Sequence, residues 1–242
     1  MGALTAAIGV LWAFHYFSRD LPSIGVLSNY QPPTTTRLHA ATGELLSEYA
    51  TERRLYVPID AIPLKVKQAF LAAEDKNFYK HEGIDFFGVA RAVYTNIKNY
   101  GTGRRLVGAS TITQQVAKNF LLTNEVSFER KIKEAILAHR IDRAFPKDDI
   151  LRLYLNEIYL GSGSYGVASA ALKYFNKALD DLTIAEAAYL AALPKAPNNY
   201  HPVRQPYAAR ARRDWVIDRM LEEGFVNRTD AFEAKQKPIE IR

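Results

Sequence analysis

The sequence predicts a mostly α-helical protein in which the helices follow a short β hairpin and an N-terminal membrane anchor. From Pro63 onward, apolar residues recur at the three- and four-residue spacing of a helix. Two earlier segments, Thr34–His39 and Leu45–Val57, are instead rich in β-branched and aromatic residues. With 48% hydrophobic residues in a chain of 242, the sequence supports a packed core.

The segment Ala3–Phe17 is predicted to belong to a membrane anchor. It has no formally charged residue, but it is shorter than the roughly 20 residues that a spanning helix needs. Its aromatic end is typical of a membrane interface, and it lacks the basic leader and cleavage site of a signal peptide. We therefore predict a truncated transmembrane anchor at residues 1–19, with a buried core helix as the alternative.

The remaining chain divides into a linker and hairpin at residues 20–57, a main helical domain at 58–225 and a C-terminal helix or linker at 226–242. Two helix starts have the capping-box form, Thr111-x-x-Gln114 and Thr183-x-x-Glu186. After a first helix that follows Pro63, the predicted helices are Phe86–Asn99, Ser110–Asn119, Ser127–Phe145, Lys147–Tyr159, Ser164–Phe175, Thr183–Leu193 and Gln205–Glu223.

The net charge of +6 favours anionic partners, which include nucleic acid, anionic lipids and pyrophosphates. The absence of cysteine excludes disulfides, thiol catalysis and zinc-finger spacing, and no aromatic-basic RNA-binding motif is present. The glycine-rich Gly161–Val167 lacks the Gly-Lys-Ser/Thr ending of a phosphate-binding loop, so it is predicted to be a tight connection between helices. Neither nucleic acid nor a nucleotide is therefore expected.

Two glutamates are candidates for chemistry. Glu74 continues the apolar face of its own helix, where partial removal from water makes a carboxylate a stronger base. The local alternative is a helix-end carboxylate turned to solvent. Glu134 lies roughly opposite the apolar stripe that begins at Phe128, and Arg130 precedes it by four residues. An ordinary exposed ion pair would explain both of these residues.

A second group of candidates surrounds a predicted helix start at Ser110. Free backbone N–H groups at a helix start can bind an anion, and Gln115 and Lys118 lie one turn apart on that helix. A plain capped helix explains the same residues. Lys195 stands between two prolines, which place it rigidly, although by itself it is a turn with an incidental charge.

The order and spacing of these motifs resemble the five signatures of the family-51 glycosyltransferases. These are the glycan-polymerising domains of class A penicillin-binding proteins and of monofunctional glycosyltransferases. One departure is Ala109, where the family often has a glycine. The matching segments, within a resemblance that extends from about Pro58 to Met220, are Ala73–Ile84, Ser110–Gln115 with Lys118 and Asn119, Arg130–Glu134, Tyr154–Gly166 and Leu182–Pro202.

The resemblance implies a lysozyme-like α lobe and a smaller lobe that dips into the membrane. The smaller lobe is expected around Phe86–Arg105, although helical burial explains the apolar residues there equally well. Glu74 is implied to be the general base, and Glu134 to orient cations or a metal beside a diphosphate. The other expected diphosphate ligands are the cations Lys118, Arg130, Lys131 and Lys195 and the hydrogen-bonding residues Ser110, Thr111, Gln115 and Asn119.

The implied reaction polymerises lipid II into β-1,4 glycan strands with inversion and release of undecaprenyl diphosphate. A divalent metal, Mg²⁺ or Mn²⁺, is expected near Glu134 or Glu74. Expected partners are lipid II, the growing glycan strand, inner-membrane lipids and a transpeptidase in cis or in trans. The protein is expected to cross the bacterial inner membrane once, with its catalytic domain in the periplasm.

Two other functions remain open, a non-catalytic lipid II-binding scaffold and a lysozyme-like lytic glycosidase. The sequence contains neither the Ser-x-x-Lys nor the Lys-Thr-Gly motif of a penicillin-binding transpeptidase. It is therefore expected to carry polymerisation alone, as a monofunctional enzyme or as part of a longer one.

Overall fold

The structure is a computed structural model that describes residues 16–28, 30, 36–39, 42, 45–49, 53–102, 107–123, 125 and 127–241. The prediction of a mostly α-helical protein is confirmed over these ranges. The helices are α1 (Leu64–Glu74), α2 (Phe86–Lys98), α3 (Ile112–Leu121), α4 (Phe128–Ala144), α5 (Lys147–Glu157), α6 (Val167–Phe175), α7 (Ile184–Ala192), α8 (Pro206–Glu222) and α9 (Arg228–Gln236).

The first of two compact units contains the described residues of Met1–Tyr30 and Asn77–Leu151. Its centre is the packing of α3 against α4. The loop before α2 approaches α4 closely, because Gly83 has a φ of +83° and a Cβ there would lie 2.4 Å from the carbonyl oxygen of Ala138. Only glycine permits this approach. The buried apolar residues of α3 and α4 include Ile112, Val116, Ala117, Ile136, Leu137 and Ile141.

The second unit contains the described residues of Gln31–Lys76 and Arg152–Arg242, so the division falls within α5. Its central element is α7, which contacts α1, α8 and α9. Five of the nine residues of α7 are alanine, and these small side chains let the neighbouring helices approach closely. Asn156 fixes the chain entering this unit, because its side chain accepts from the backbone N–H of Val57 and donates to the carbonyl of Val57.

Two short pairs of strands accompany the helices. Strand β1 (Thr36–His39) runs antiparallel to β2 (Leu45–Tyr49), with Thr36 opposite Tyr49. Both strands fall within the segments predicted to form a hairpin. A second pair was not predicted: β3 (Arg53–Arg54) runs parallel to β4 (Ser164–Tyr165).

The helix predicted at Ser164–Phe175 begins three residues later than expected, at Val167. The cause is Gly166, whose φ of +78° is not helical and whose position leaves no room for a Cβ against the backbone of Asn156. The preceding residues extend and pair with β3 instead. The prediction that Gly161–Val167 connects two helices is confirmed, since this segment joins α5 to α6.

Helix α2 presents a wide apolar face to solvent. Phe86, Phe87, Val93, Tyr94 and Ile97 are all exposed, and Ala92 is the only buried residue of this helix. Of the two interpretations that the sequence allowed, the structure therefore favours free apolar surface over helical burial. Asp85 caps the helix by accepting from the backbone N–H of Gly88 at 2.9 Å.

Most of the predicted anchor, residues 1–15, lies outside the described residues. Among the residues that are described, no helix is both long enough and apolar enough to cross a membrane. The segment predicted as a linker is partly folded: Ile24–Leu27 forms a 3₁₀ turn capped by Ser23, and Leu27 is buried.

Candidate active site

The start of α3 is a capping box, as the sequence predicted. Thr111 Oγ1 accepts from the backbone N–H of Gln114 at 3.1 Å, and Gln114 Oε1 accepts from the backbone N–H of Thr111 at 3.0 Å. Thr111 Oγ1 also donates its only proton to the carbonyl of Gly83 at 2.6 Å. Thr111 was expected to contact a diphosphate, but the structure gives its buried hydroxyl a structural task, which is to connect the first two signatures.

A cluster of charges occupies the first two turns of α4. Lys131 Nζ donates to Ser110 Oγ at 2.7 Å and to Glu134 Oε2 at 2.6 Å. The other carboxylate oxygen, Glu134 Oε1, forms an ion pair with Arg130. The structure thus brings together four of the predicted site residues, with a single carboxylate holding both cations. We call Ser110, Lys118, Arg130, Lys131 and Glu134 the cation cluster.

The predicted position of Glu134 was wrong. It was placed opposite the buried stripe of α4, yet its residue exposure is only 3%, whereas Phe128, the first residue of that stripe, is 82% exposed. The ion pair with Arg130 exists, but it is not an ordinary surface pair. A buried carboxylate is tolerated here because Arg130 and Lys131 both contact it and neutralise its charge.

Positive charges repel one another in this cluster. Burial lowers the pKa of Lys131 below its usual value, and the neighbouring charges of Arg130 and Lys118 lower it further. Lys118, in the second signature, therefore lies within electrostatic range of Lys131, in the third. Because these cations repel one another, an anion bound among them would reduce the repulsion, and the cluster is therefore suited to bind an anion.

The lowered pKa of Lys131 predicts how anion affinity depends on pH. As pH rises through that value, the cluster loses one positive charge, so pyrophosphate affinity should begin to fall below the pH at which a free lysine titrates. Lys131→Ala should weaken pyrophosphate binding about fivefold to tenfold at neutral pH and remove this pH step. Calorimetric titration at several pH values measures both effects. Lys173→Ala, which removes an exposed lysine of the second unit, should change neither.

Glu74 belongs to the second unit, at the C-terminal end of α1, and is half-buried. The charge of Glu74 affects two side chains of the same unit. Burial raises the pKa of Tyr154, and the charge of Glu74 raises it further. Burial lowers the pKa of Arg212, and the charge of Glu74 partly offsets this lowering. Glu74 is therefore neither a fully solvated helix-end carboxylate nor an isolated buried one.

Sequence reasoning missed Tyr154 and Arg212 as neighbours of Glu74. Within the part of the chain that is described, no partner reaches the buried hydroxyl of Tyr154 or the buried Nε of Arg212. The guanidinium of Arg212 lies over the ring of Trp215, 3.8 Å from its centroid. Tyr154 falls inside the fourth signature, which could have drawn attention to it, whereas nothing in the sequence marked Arg212.

The other predicted residues differ in their exposure. Asn119 and Lys195 are exposed, and Gln115 is half-buried on α3. Lys195 belongs to the second unit, and its segment, between α7 and α8, contains the two prolines that were expected to hold it.

Of the two glutamates near which a metal ion was expected, Glu134 fits a metal ion poorly. Over the described ranges, no group of three His, Asp or Glu side chains could hold a metal ion by itself, whereas Mg²⁺ needs only one or two carboxylates when substrate phosphates complete its coordination. Glu134, the main candidate, already directs both carboxylate oxygens to cations. A side chain so paired is a poor ligand for Mg²⁺ or Mn²⁺, so no step of the reaction is assigned to a protein-bound metal.

Comparison with known proteins decides the family. The family model described as Transglycosylase matches residues 42–221, which is most of the chain. The chain belongs to the transglycosylase family. The prediction of a peptidoglycan glycosyltransferase is thereby confirmed.

Relatives of this transglycosylase include penicillin-binding protein 1A of Rickettsia bellii, 55% identical over 96% of the chain and 30% of the relative. Penicillin-binding protein 1A of Aquifex aeolicus is 47% identical over 97% of the chain and 32% of the relative. The crystal structure of penicillin-binding protein 1A from Haemophilus influenzae matches with a TM-score of 0.50 and 26% identity, over 88% of this chain and 22% of that one. The transglycosylase therefore spans about a third of the length of these curated relatives.

Proposed function

We propose that this transglycosylase elongates glycan strands by transferring the growing strand from its lipid diphosphate carrier to lipid II. The observation that carries the proposal is the cation cluster, in which buried Glu134 holds Arg130 and Lys131 together next to Ser110. A site of this kind suits a leaving group on which negative charge accumulates. A lipid diphosphate is such a leaving group, and both substrates of the implied reaction contain one.

In the proposed reaction Glu74 acts as the general base. It removes the proton from the sugar 4-hydroxyl of lipid II as that oxygen attacks the anomeric carbon of the growing strand. The bond from the anomeric carbon to the diphosphate oxygen breaks, and undecaprenyl diphosphate leaves with the bonding electrons. Because one displacement inverts the anomeric carbon, an α-linked donor yields a β-1,4 bond.

The cation cluster is assigned to the leaving group. Lys118, Arg130 and Lys131 would bind the diphosphate, with Ser110, Gln115 and Asn119 as hydrogen-bonding partners. Positive charges that are already held in place stabilise the charge that develops as the bond breaks, without the reorganisation that water would need. Lys195 is a further candidate for the same task. Tyr154 and Arg212 support the choice of Glu74, because they place a hydroxyl and a cation within its electrostatic reach.

Membrane association is proposed for the exposed apolar face of α2. We assign to it the smaller, membrane-dipping lobe that accompanies a lysozyme-like α lobe in the family resemblance. Large aromatic side chains such as Phe86 and Phe87 gain about 1.5–3 kcal/mol each when they leave water completely. Such a face would keep the enzyme at the surface where its lipid-linked substrates lie, together with a single N-terminal anchor in the bacterial inner membrane and a periplasmic catalytic domain.

Replacing both phenylalanines should weaken vesicle binding. With Phe86→Ser and Phe87→Ser together, we expect at least a tenfold loss of affinity for phospholipid vesicles, since about 1.4 kcal/mol corresponds to a factor of ten. Vesicle co-flotation measures the effect. The matched control is Tyr207→Ser, which removes an equally exposed aromatic residue from the start of α8. If the two proteins bind vesicles equally well, α2 is not the membrane-binding face.

A transpeptidase partner is proposed from the relatives. The chain matches about 30% of a penicillin-binding protein 1A, so the remaining length of such proteins could supply the transpeptidase in cis. A divalent cation remains a proposal of a different kind, in which the ion accompanies the diphosphate substrates. Chelation by EDTA, followed by readdition of Mg²⁺ or Mn²⁺, tests the requirement directly.

The test of the proposed function is a polymerisation assay with labelled lipid II, detergent and a divalent cation, resolved on a gel. A ladder of long strands that muramidase digests is the expected result. Lipid II that binds without forming polymer would support the scaffold alternative. Breakdown of isolated cell-wall sacculi would support the lytic glycosidase instead.

A further inference from the structure

The chain that follows the predicted anchor does not behave as a free linker. Residues 16–28 and 30 belong to the same compact unit as α3 and α4. Ser23 Oγ accepts from the backbone N–H of Gly25 at 3.2 Å and so starts the 3₁₀ turn Ile24–Leu27. We call residues 20–30, of which all but residue 29 are described, the membrane-proximal segment.

Two apolar contacts hold the membrane-proximal segment against the helices. The turn Ile24–Leu27 contacts α4, and Leu27 is only 2% exposed, whereas its neighbour Val26 is 59% exposed. The ring of Tyr30 meets the ring of Phe120 on α3 edge to face, with 4.7 Å between the centroids. Edge-to-face contacts at this distance are favourable beyond the area that they bury.

An electrostatic attraction accompanies the apolar contacts. Lys133 on α4 has its pKa raised mainly by a hydrogen bond to Glu129, and the carboxylate of Asp20 adds a smaller attraction. The first residue of the segment, Asp20, therefore lies within electrostatic range of α4. Lys133 is half-buried at the surface and already paired with Glu129, so the attraction supports the placement of the segment and adds little stability.

The contacted helices are those that carry the cation cluster. Phe120 lies two residues after Lys118 on α3, and Lys133 directly precedes Glu134 on α4. The membrane-proximal segment and the cation cluster are thus parts of one packed unit.

We propose that the membrane-proximal segment is a strut, in which Leu27 and Tyr30 are positioning residues that fix the height of the cation cluster above the bilayer. This inference rests on the proposed function and on the predicted anchor. The strut would hold the cation cluster at the depth of its proposed ligand, a lipid-linked diphosphate, which lies among the phospholipid headgroups.

A flexible linker would be longer than the headgroup layer is thick. A flexible linker of eleven residues has a root-mean-square end-to-end distance of about 18 Å. The headgroup region of one leaflet is only about 5–8 Å thick. If a free linker and the α2 face were its only ties to the membrane, the cation cluster could still change its height by more than the thickness of the layer that contains the diphosphate, and the effective concentration of substrate would fall. Packing of the segment removes this freedom.

The test compares the full chain with Leu27→Ala plus Tyr30→Ala, and with Val26→Ala as the matched control. Each protein is assayed on lipid II embedded in phospholipid vesicles and on a short-chain lipid II analogue in detergent, where height above a bilayer has no meaning. We expect the double variant to lose three- to tenfold in rate on vesicles and to match the parent in detergent. Val26→Ala should match the parent in both assays.

A second measurement reports height without requiring activity. The sequence contains no cysteine, so Glu129→Cys gives a single labelling position on α4. A fluorophore there, quenched by nitroxides attached to lipid headgroups, should report one depth in the parent and a broader distribution in the double variant. Circular dichroism melting checks that the double variant is folded.

The outcomes separate the strut from the proposed function. Equal rates of parent and double variant on vesicles, or a folded double variant that loses equally in both assays, would overturn the strut. An unchanged depth distribution would overturn it as well. A parent chain that forms no polymer in either assay would instead count against the proposed function, while the depth measurement would still test the strut.

Discussion

Glu74→Gln should lower the rate of lipid II polymerisation by about 10²–10⁴-fold, the usual contribution of a general base. Glutamine keeps the size of the side chain and one accepting oxygen, but its amide cannot take up the proton of the attacking hydroxyl. Because Glu74 is the last residue of α1 and only half-buried, the substitution should disturb the fold little. Lipid II binding should therefore survive while polymer disappears.

The measurement is a single-turnover polymerisation assay combined with lipid II binding on the same protein. Glu82→Gln is the matched control, because Glu82 lies in the same signature and has an exposed side chain. It should retain the parental rate. Polymer formed at the parental rate by Glu74→Gln would exclude Glu74 as the base, and loss of binding together with rate would indicate a role in holding the substrate.

Glu134→Gln should damage both activity and stability. The carboxylate is buried and neutralises Arg130 and Lys131, so its removal leaves two cations that repel each other and Lys118. Breaking a fully buried ion pair costs about 3–5 kcal/mol. Since the side chain of Lys131 is 44% exposed, water offsets part of this, and we expect about 2–3 kcal/mol of lost unfolding free energy.

Activity should fall about 10²-fold in Glu134→Gln, comparable to the loss of one preorganised charge-stabilising group. Urea unfolding gives the stability, and the polymerisation assay gives the rate under conditions where the variant remains folded. The control is Glu129→Gln on the same helix, where an exposed pair with Lys133 is worth at most about 0.5 kcal/mol. Equal stability losses in the two variants would show that Glu134 is not the electrostatic centre of the cluster.

Local chemistry made part of the fold predictable. In each of the two capping boxes, side chains three residues apart accept hydrogen bonds from each other's backbone N–H groups, so the sequence alone contains the information. The late start of α6 could not be predicted in the same way. It depends on Gly166 approaching Asn156 and on pairing with β3, which is more than a hundred residues earlier in the chain.

The candidate site was predictable as a set of residues but not as an arrangement. Periodicity placed Glu134 on the solvent side of α4, because the pattern depends only on which residues are apolar. It contains no information about the two cations that neutralise a buried carboxylate. The apolar face of α2 had the opposite problem, since an apolar stripe looks the same whether it faces a core or a membrane. Tyr154 and Arg212 meet the charge of Glu74 only through tertiary folding.

In the proposed reaction, the net charge of the cation cluster has a consequence for release of the product. Three positive side chains and Glu134 leave two positive charges, which balance a diphosphate diester with about two negative charges at neutral pH. Once the sugar is transferred, the diphosphate is a monoester and gains additional negative charge. In the proposed reaction, the cluster thus balances the charge of the donor but not the larger negative charge of the product, so we expect a proton or a cation from solution to be taken up as the carrier leaves. The ionic composition of the medium would then govern how quickly the enzyme clears its product, separately from how quickly it forms each bond.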